Sequence, residues 1–237
     1  MLSTILIFLS AVGMYGQTTP SQQAAVEVHF VGQMRKVMRD GDLTATIDLA
    51  QLSKRKHLYA LGPIEGLRGE ITIWDSKPSL ARIVVDRVST TESFQSKACF
   101  LVYASVDSWQ EVQIPQEIRD DKSFEKWLVQ TASKHGVNTK RPFPFLLKDT
   151  AQKVVFHVVN KTDDSPHSQA KHEAIKKKFT LENTSVKLLG FYSDSHHGVF
   201  THHDSNIHLH VITTDEKQSG HVESIQFGKE ARLLLPK

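Results

Sequence analysis

The feature that most constrains this chain is a histidine pattern near its C-terminal end: His208-Leu209-His210, ten residues, then His221. Side chains two apart on a strand share a face, so His208 and His210 project together. Leu209 between them, and Ile207 and Val211 beside them, point the other way into a core. That is the alternation of a half-buried strand. Thr214–Gly220 (TDEKQSG) is a polar turn ending in glycine, and it folds the next strand back antiparallel. His221 opens that strand and is expected roughly opposite His210. Three imidazoles then converge from two adjacent strands.

Three neutral imidazoles form a catalytic-metal set that leaves a coordination position open for water or substrate. A closed structural zinc site more often takes a fourth ligand from cysteine, and the single cysteine, Cys99, lies far off in a separate strand-like run. Nitrogen ligands suit zinc and also iron, nickel, copper or cobalt, and spacing does not choose among them. The competing reading is a pH-sensitive surface cluster, because an isolated His-x-His is often only a polar face. Seven of the 13 histidines fall between His196 and His221. Of these, His196, His197, His202 and His203 sit in a loop with Gly198, Asp204 and Ser205, as loop residues, groups supporting the ligands, or a proton shuttle.

Apolar residues are 39% of the 237 and charged residues 23%, enough for a sizeable core in one large domain or two small joined ones. The net charge is only +3, and the one dense basic run is Lys176-Lys177-Lys178. Without a basic stripe interleaved with aromatics, nucleic-acid binding is not expected. One cysteine excludes an internal disulfide, and Cys99 reads as a small buried hydrophobe. Ile5–Val12 (ILIFLSAV) is an apolar run too short to span a bilayer. It fits a secretory signal peptide over residues 1–16, cleaved after Gly16, although no Lys or Arg precedes it. The alternative is a buried N-terminal strand or helix. Export places a mature domain of residues 17–237 in a periplasm or outside the cell.

Val26, Phe30, Met34, Val37 and Met38 recur at helical spacing, predicting a helix over 22–40 ended by Gly41. A second helix is predicted over 121–135, capped by Asp120 or Asp121, striped by Phe124, Trp127, Leu128 and Ala132, and ended by Gly136. Strand-like runs are 57–62, 70–74, 80–88, 98–106, 154–159, 186–192, 207–213, 221–227 and 231–235. Residues 160–183 read as an exposed polar excursion holding a short helix. The fold class expected is α+β, with sheets carrying most of the structure.

At these residues the chain resembles the alpha-acetolactate decarboxylase family. Gly190-Phe191-Tyr192, a loop, His208-Leu-His210 and Gly220-His221-Val222 look like that family's C-terminal half. Leu61-Gly-Pro-Ile-Glu-Gly-Leu-Arg-Gly-Glu70-Ile-Thr-Ile resembles its segment ending Leu-Asp-Gly-Glu. The resemblance implies two packed, mixed β-sheet halves with a few helices, and zinc held by His208, His210 and His221. It implies decarboxylation of a 2-hydroxy-3-keto acid, acetolactate to acetoin, with Glu70 in the site. It also implies an arginine that binds substrate, matched loosely by Arg141 in Thr-Lys-Arg-Pro-Phe-Pro, with Lys140 competing. Glu70 has its own case, since a carboxylate opening an apolar strand is unfavourable unless paired or functional. Two departures stand out. The family's tail glutamate has no clear counterpart, Glu223 and Glu230 being nearby but unmatched, and the 160–183 loop is longer. A zinc-dependent ester hydrolase on the same fold and a non-catalytic exported metal-binding module stay open. The partner implied is a small molecule, with no membrane span, and a homodimer is compatible with the sequence.

Overall fold

The computed structural model describes residues 26–237; the expected signal segment, 1–16, lies outside the described residues. In chain order the elements are β1 (His29–Val31), β2 (Ile47–Asp48), β3 (Leu58–Pro63), β4 (Glu70–Trp74), β5 (Lys77–Val84), β6 (Arg87–Thr91), β7 (Lys97–Ala98), β8 (Leu101–Ser105) and β9 (Trp109–Gln113). Then come α1 (Asp121–Lys134), β10 (Phe143–Val159), α2 (Gln169–Ile175), β11 (Lys176–Tyr192), β12 (Ile207–Thr213), β13 (Ser219–Gln226) and β14 (Arg232–Pro236). The two sheet halves are present. One sheet runs β1-β8-β3-β4-β5-β6, the other β11-β12-β13-β10-β14-β9, and β2 pairs with β7. Because β10 also pairs with β11, the strands β10, β11, β12 and β13 close on themselves. Every ladder between these strands is antiparallel, a refinement of the mixed sheets expected.

Alternation along the central strands decides which residues meet at the seam between the sheets. Leu58 and Ala60 of β3 enter one core cluster, while Tyr59 and Leu61 enter another shared with Leu146, Leu189 and Phe191 of the second sheet. In β4, Ile71 and Ile73 go into the first cluster, which sends Glu70 and Thr72 to the opposite face, toward the second sheet. In β12, Leu209 and Val211 enter the closed half's core with Val154, Phe156 and Val158 of β10. His208, His210 and His157 are thereby turned outward from that core and toward β4.

The helix at 121–134 forms as predicted. Asp120 caps it by accepting from the Ser123 amide at 2.9 Å, the Ser123 hydroxyl closes the box, and Phe124, Leu128 and Ala132 are buried. Three expectations are corrected. Of the expected 22–40 helix, residues 22–25 lie outside the described residues, and within 26–40 there is only a short turn ending at Asp40, closed by Gly41 in the left-handed region (φ 67°). Upstream, His29–Val31 is a strand pairing with β8, a tertiary contact that overrides the local helical period. The 80–88 run is two strands joined by a tight turn in which Val85 and Asp86 take positive φ. Residues 176–182 are no excursion: they pair residue by residue with β10, with Phe179 stacked on Phe156. The short helix expected in that segment is α2. Among the described residues, no helix is long and apolar enough to cross a membrane.

Candidate metal centre

The β12–β13 hairpin has the register its spacing predicts: His210 pairs with His221 and Val211 with Gly220. The next ladder sets His221 opposite His157 of β10. Gly220 is glycine for a steric reason. A Cβ there would sit 2.5 Å from the His157 carbonyl oxygen and 2.6 Å from the Phe156 ring, so only glycine lets β13 lie this close to β10. Gly190 does the same for β11, where a Cβ would enter the ring of Phe145.

His208, His210 and His221 each turn a ring nitrogen into one spot, with those atoms within 4.8 Å of one another. Nε2 of His208 is 3.1 Å from Nδ1 of His221. His210 is fully buried, and its Nε2 has no hydrogen-bond partner. Its Nδ1 lies 3.0 Å from the Thr72 hydroxyl, which is in turn 3.1 Å from the Ser219 hydroxyl. A neutral imidazole donating from Nδ1 to Thr72 presents a bare lone pair at Nε2. Burial holds all three rings neutral, with the pKa of His210 pushed down to about 3 and those of His208 and His221 well below the usual value. Neutral imidazoles are the ligand form, and an orphaned buried nitrogen is what a missing metal leaves behind. The donor set therefore fits a divalent transition metal such as zinc.

Glu70 joins the cluster from the other sheet. It is 3% exposed, with one carboxylate oxygen 3.8 Å from His210 Nε2 and the other 4.0 Å from His157 Nε2. The Val159 amide donates to it at 3.3 Å. Burial outweighs that bond and pushes its pKa up to about 8. The small pocket in front of these groups is walled by Met34, Val37, Leu67, Phe100 and Val159. None of the described residues lining it is Arg or Lys.

Three further residues belong here: His157 and Glu223, which spacing did not single out as site groups, and His202, one of the loop histidines open to a supporting role. His157 Nδ1 is 2.6 Å from Glu223 Oε1, and its ring lies 4.7 Å from that of His221. Hydrogen bonding from His157 draws the Glu223 pKa down to about 2, whereas burial keeps His157 itself neutral. Glu223 is the extra residue of a β-bulge, where Phe156 faces Val222 and Val155 faces Ser224. His202 reaches in from the loop before β12, with Nε2 3.2 Å from His221 Nε2. A signal for His157 existed in the sequence: it is the one polar residue in Val154–Val159. Of the other loop histidines, His196 bonds Ser193 and His197 bonds Asn206, away from the ligands.

Arg141 is not brought to the cluster. It is exposed in the segment before β10 and borders a separate hollow with Gly136, Asn138 and Pro236. From there its guanidinium does not line the histidine pocket. Lys140 beside it is exposed too, its amide tied to the Asn138 side chain.

Residues 29–235 match the family described as alpha-acetolactate decarboxylase. Among solved structures, alpha-acetolactate decarboxylase from Bacillus subtilis strain 168 superposes with a TM-score of 0.69 at 16% identity, covering 89% of this chain and 85% of that one. Acetolactate decarboxylase from Bacillus subtilis subspecies spizizenii gives 0.69 at 16%, covering 89% and 86%. A Staphylococcus aureus protein of unknown function similar to alpha-acetolactate decarboxylase gives 0.69 at 11%, covering 89% and 84%. No curated protein matches the sequence.

Proposed function

The chain belongs to the alpha-acetolactate decarboxylase family, and from that premise we propose that it decarboxylates a 2-hydroxy-3-keto acid, acetolactate to acetoin, at the three-histidine centre. The observation that carries the reading is the juxtaposition of three neutral imidazoles with one buried, proton-holding carboxyl. His208, His210 and His221 would hold the metal. When bound, a divalent ion such as zinc supplies a Lewis acid for the hydroxyl and keto oxygens and for the negative charge that appears as carbon dioxide leaves.

The rest of the work falls to the chain's own groups. Loss of the carboxylate leaves an electron pair delocalised as an enediolate, and the reaction consumes one proton at carbon. Glu70 is placed to deliver it, because burial keeps its carboxyl protonated near neutral pH. His157 is held by Glu223 with Nε2 toward Glu70, so it can orient that carboxyl and return a proton to it. Thr72 hydrogen-bonds Nδ1 of His210 and orients its ring. Apolar walls from Met34, Val37 and Phe100 exclude water from the charge-bearing intermediate.

The test is direct. Purified zinc-loaded protein is incubated with racemic acetolactate, and acetoin is measured against a His208→Ala control. Acetoin formed by the parent and absent from the control is the expected result. No acetoin from a parent with one metal bound overturns the decarboxylase reading. One observation favours a second reading: the described residues lining the pocket offer no Arg or Lys for a substrate carboxylate. An uncharged ester hydrolysed by a metal-activated water fits that lining, and chelator-sensitive turnover of a chromogenic ester without acetoin formation would select it.

A further inference from the structure

His221 is contacted through both of its ring nitrogens, and by two different imidazoles. Nδ1 faces His208 Nε2 at 3.1 Å, inside the ligand cluster. Nε2 faces His202 Nε2 at 3.2 Å, outside it. A neutral imidazole carries one N–H and one lone pair. If Nδ1 is to offer its lone pair to a metal, the proton must sit on Nε2, and there His202 is placed to accept it.

The loop carrying His202 is built to hold it. Phe200 and Thr201 before it are fully buried. After it, the Glu125 carboxylate on α1 accepts from the Ser205 hydroxyl at 3.1 Å and the Asn206 side-chain amide at 2.7 Å. The Asn206 side-chain oxygen, Oδ1, meets His197 Nε2 at 2.7 Å, so both flanks are tied. The His202 ring stands nearly perpendicular to that of His221, at 80° and 5.1 Å between centroids. That edge-on approach aims a nitrogen at a nitrogen instead of stacking faces.

We propose that His202 is a positioning residue: its Nε2 accepts the Nε2–H of His221 and so fixes the tautomer that turns His221 Nδ1 toward the metal. Metal-bound histidines ordinarily donate their second N–H to a carboxylate, carbonyl or water. Here a neutral imidazole takes that place, adding no negative charge to the site. His210 has its own partner in Thr72, so two of the three ligands are oriented by residues from outside the β12–β13 hairpin.

The inference rests on the metal reading, and the experiment separates the two. Protein labelled with ¹⁵N in histidine is compared by long-range ¹H–¹⁵N NMR in chelator-treated and zinc-loaded forms. The expected result is His221 protonated on Nε2 in both. Zinc affinity by chelator competition should fall 10- to 100-fold in His202→Ala. It should return to within a few-fold of the parent in His202→Gln, whose amide oxygen restores an acceptor. X-ray absorption should count three imidazoles on the metal in the parent and both variants. His221 protonated on Nδ1, or a fourth imidazole lost with His202, overturns the proposal, as does unchanged affinity in His202→Ala. If the variants do not fold, the tautomer of the parent protein still decides. A chain that takes up no zinc yet carries His221 as the Nε2–H tautomer keeps the His202 bond and loses only the metal reading.

Discussion

At the scale of single residues, burial sets the chemistry of the centre, and pH is where this becomes measurable. Glu70 has a folded pKa of about 8 against an ordinary value of 4.5. The folded protein therefore holds a proton that the unfolded chain has released, and Glu70 makes stability fall as pH rises from about 4.5 to 8. His157, His202, His208, His210 and His221 are all shifted the other way, mainly by burial. Below 6.5 the unfolded chain binds protons these rings refuse, so each makes stability rise with pH up to that point. Each group contributes the same slope, about 1.4 kcal/mol per pH unit at most, so five imidazoles outweigh one carboxyl below 6.5. At pH 6.5 the unfolded rings are still half protonated and together outweigh Glu70, so chelator-treated protein should melt highest near about pH 7, with a steep acid side and a shallow alkaline side. In Glu70→Gln the alkaline decline should disappear while zinc binding survives, and decarboxylation should drop roughly 10²- to 10⁴-fold. Thermal melts at about pH 5, 7 and 9 and zinc titrations on both proteins check this.

At the scale of elements, two glycines hold the site's strands in register as firmly as any hydrogen bond. Gly220→Ala places a Cβ against the His157 carbonyl, which is backbone and cannot step aside. The expected outcome is a loss of roughly 1–3 kcal/mol from overpacking, together with weaker zinc binding as β13 and His221 are pushed off β10. A Gly220→Ala protein that melts and binds zinc like the parent would show that the strands have room to part. The same elements show what sequence can and cannot convey. The bounds of β4 were legible because Glu70–Ile73 alternates, those of β12 because Ile207–Val211 alternates, and α1 because Asp120, its apolar stripe and Gly136 agree. The hairpin register was legible because its turn is short and polar. The roles of His157 and Glu223 were not: His157 shows only as the one polar residue of Val154–Val159, and what brings it to the centre is a ladder joining residues 64 positions apart, with Glu223 set by a bulge inside that ladder. Arg141 was matched by its neighbours in sequence, and the fold carries it elsewhere.

For the whole molecule, the centre lies on the seam between two sheets that are separate in sequence. The second sheet supplies His208, His210, His221 and His157, and the first supplies Glu70 and Thr72, bonded to His210 across 138 residues. The apolar seam beside it joins Tyr59, Leu61 and Val102 to Leu189 and Phe191. A ligand bound at such a place is released only when the halves come apart, so it should stabilise one cooperative unit instead of one sheet. A metal present at 100 times its dissociation constant adds about 2.7 kcal/mol. For a chain of this size that amounts to roughly 5–10 °C in Tm. Calorimetry should show one transition in chelator-treated protein and one transition, shifted upward by that amount, after zinc is restored. His210→Ala should keep the single transition and lose the shift. Two transitions, only one of which moves with zinc, would mean that the sheets unfold separately and that the Thr72–His210 contact does not couple them. Thr72→Val distinguishes the contributions: the zinc-dependent shift should shrink because His210 loses its orienting partner, and the metal-free melt should fall as well, by about 1–3 kcal/mol, because the buried Ser219 hydroxyl and His210 Nδ1 are left unpaired.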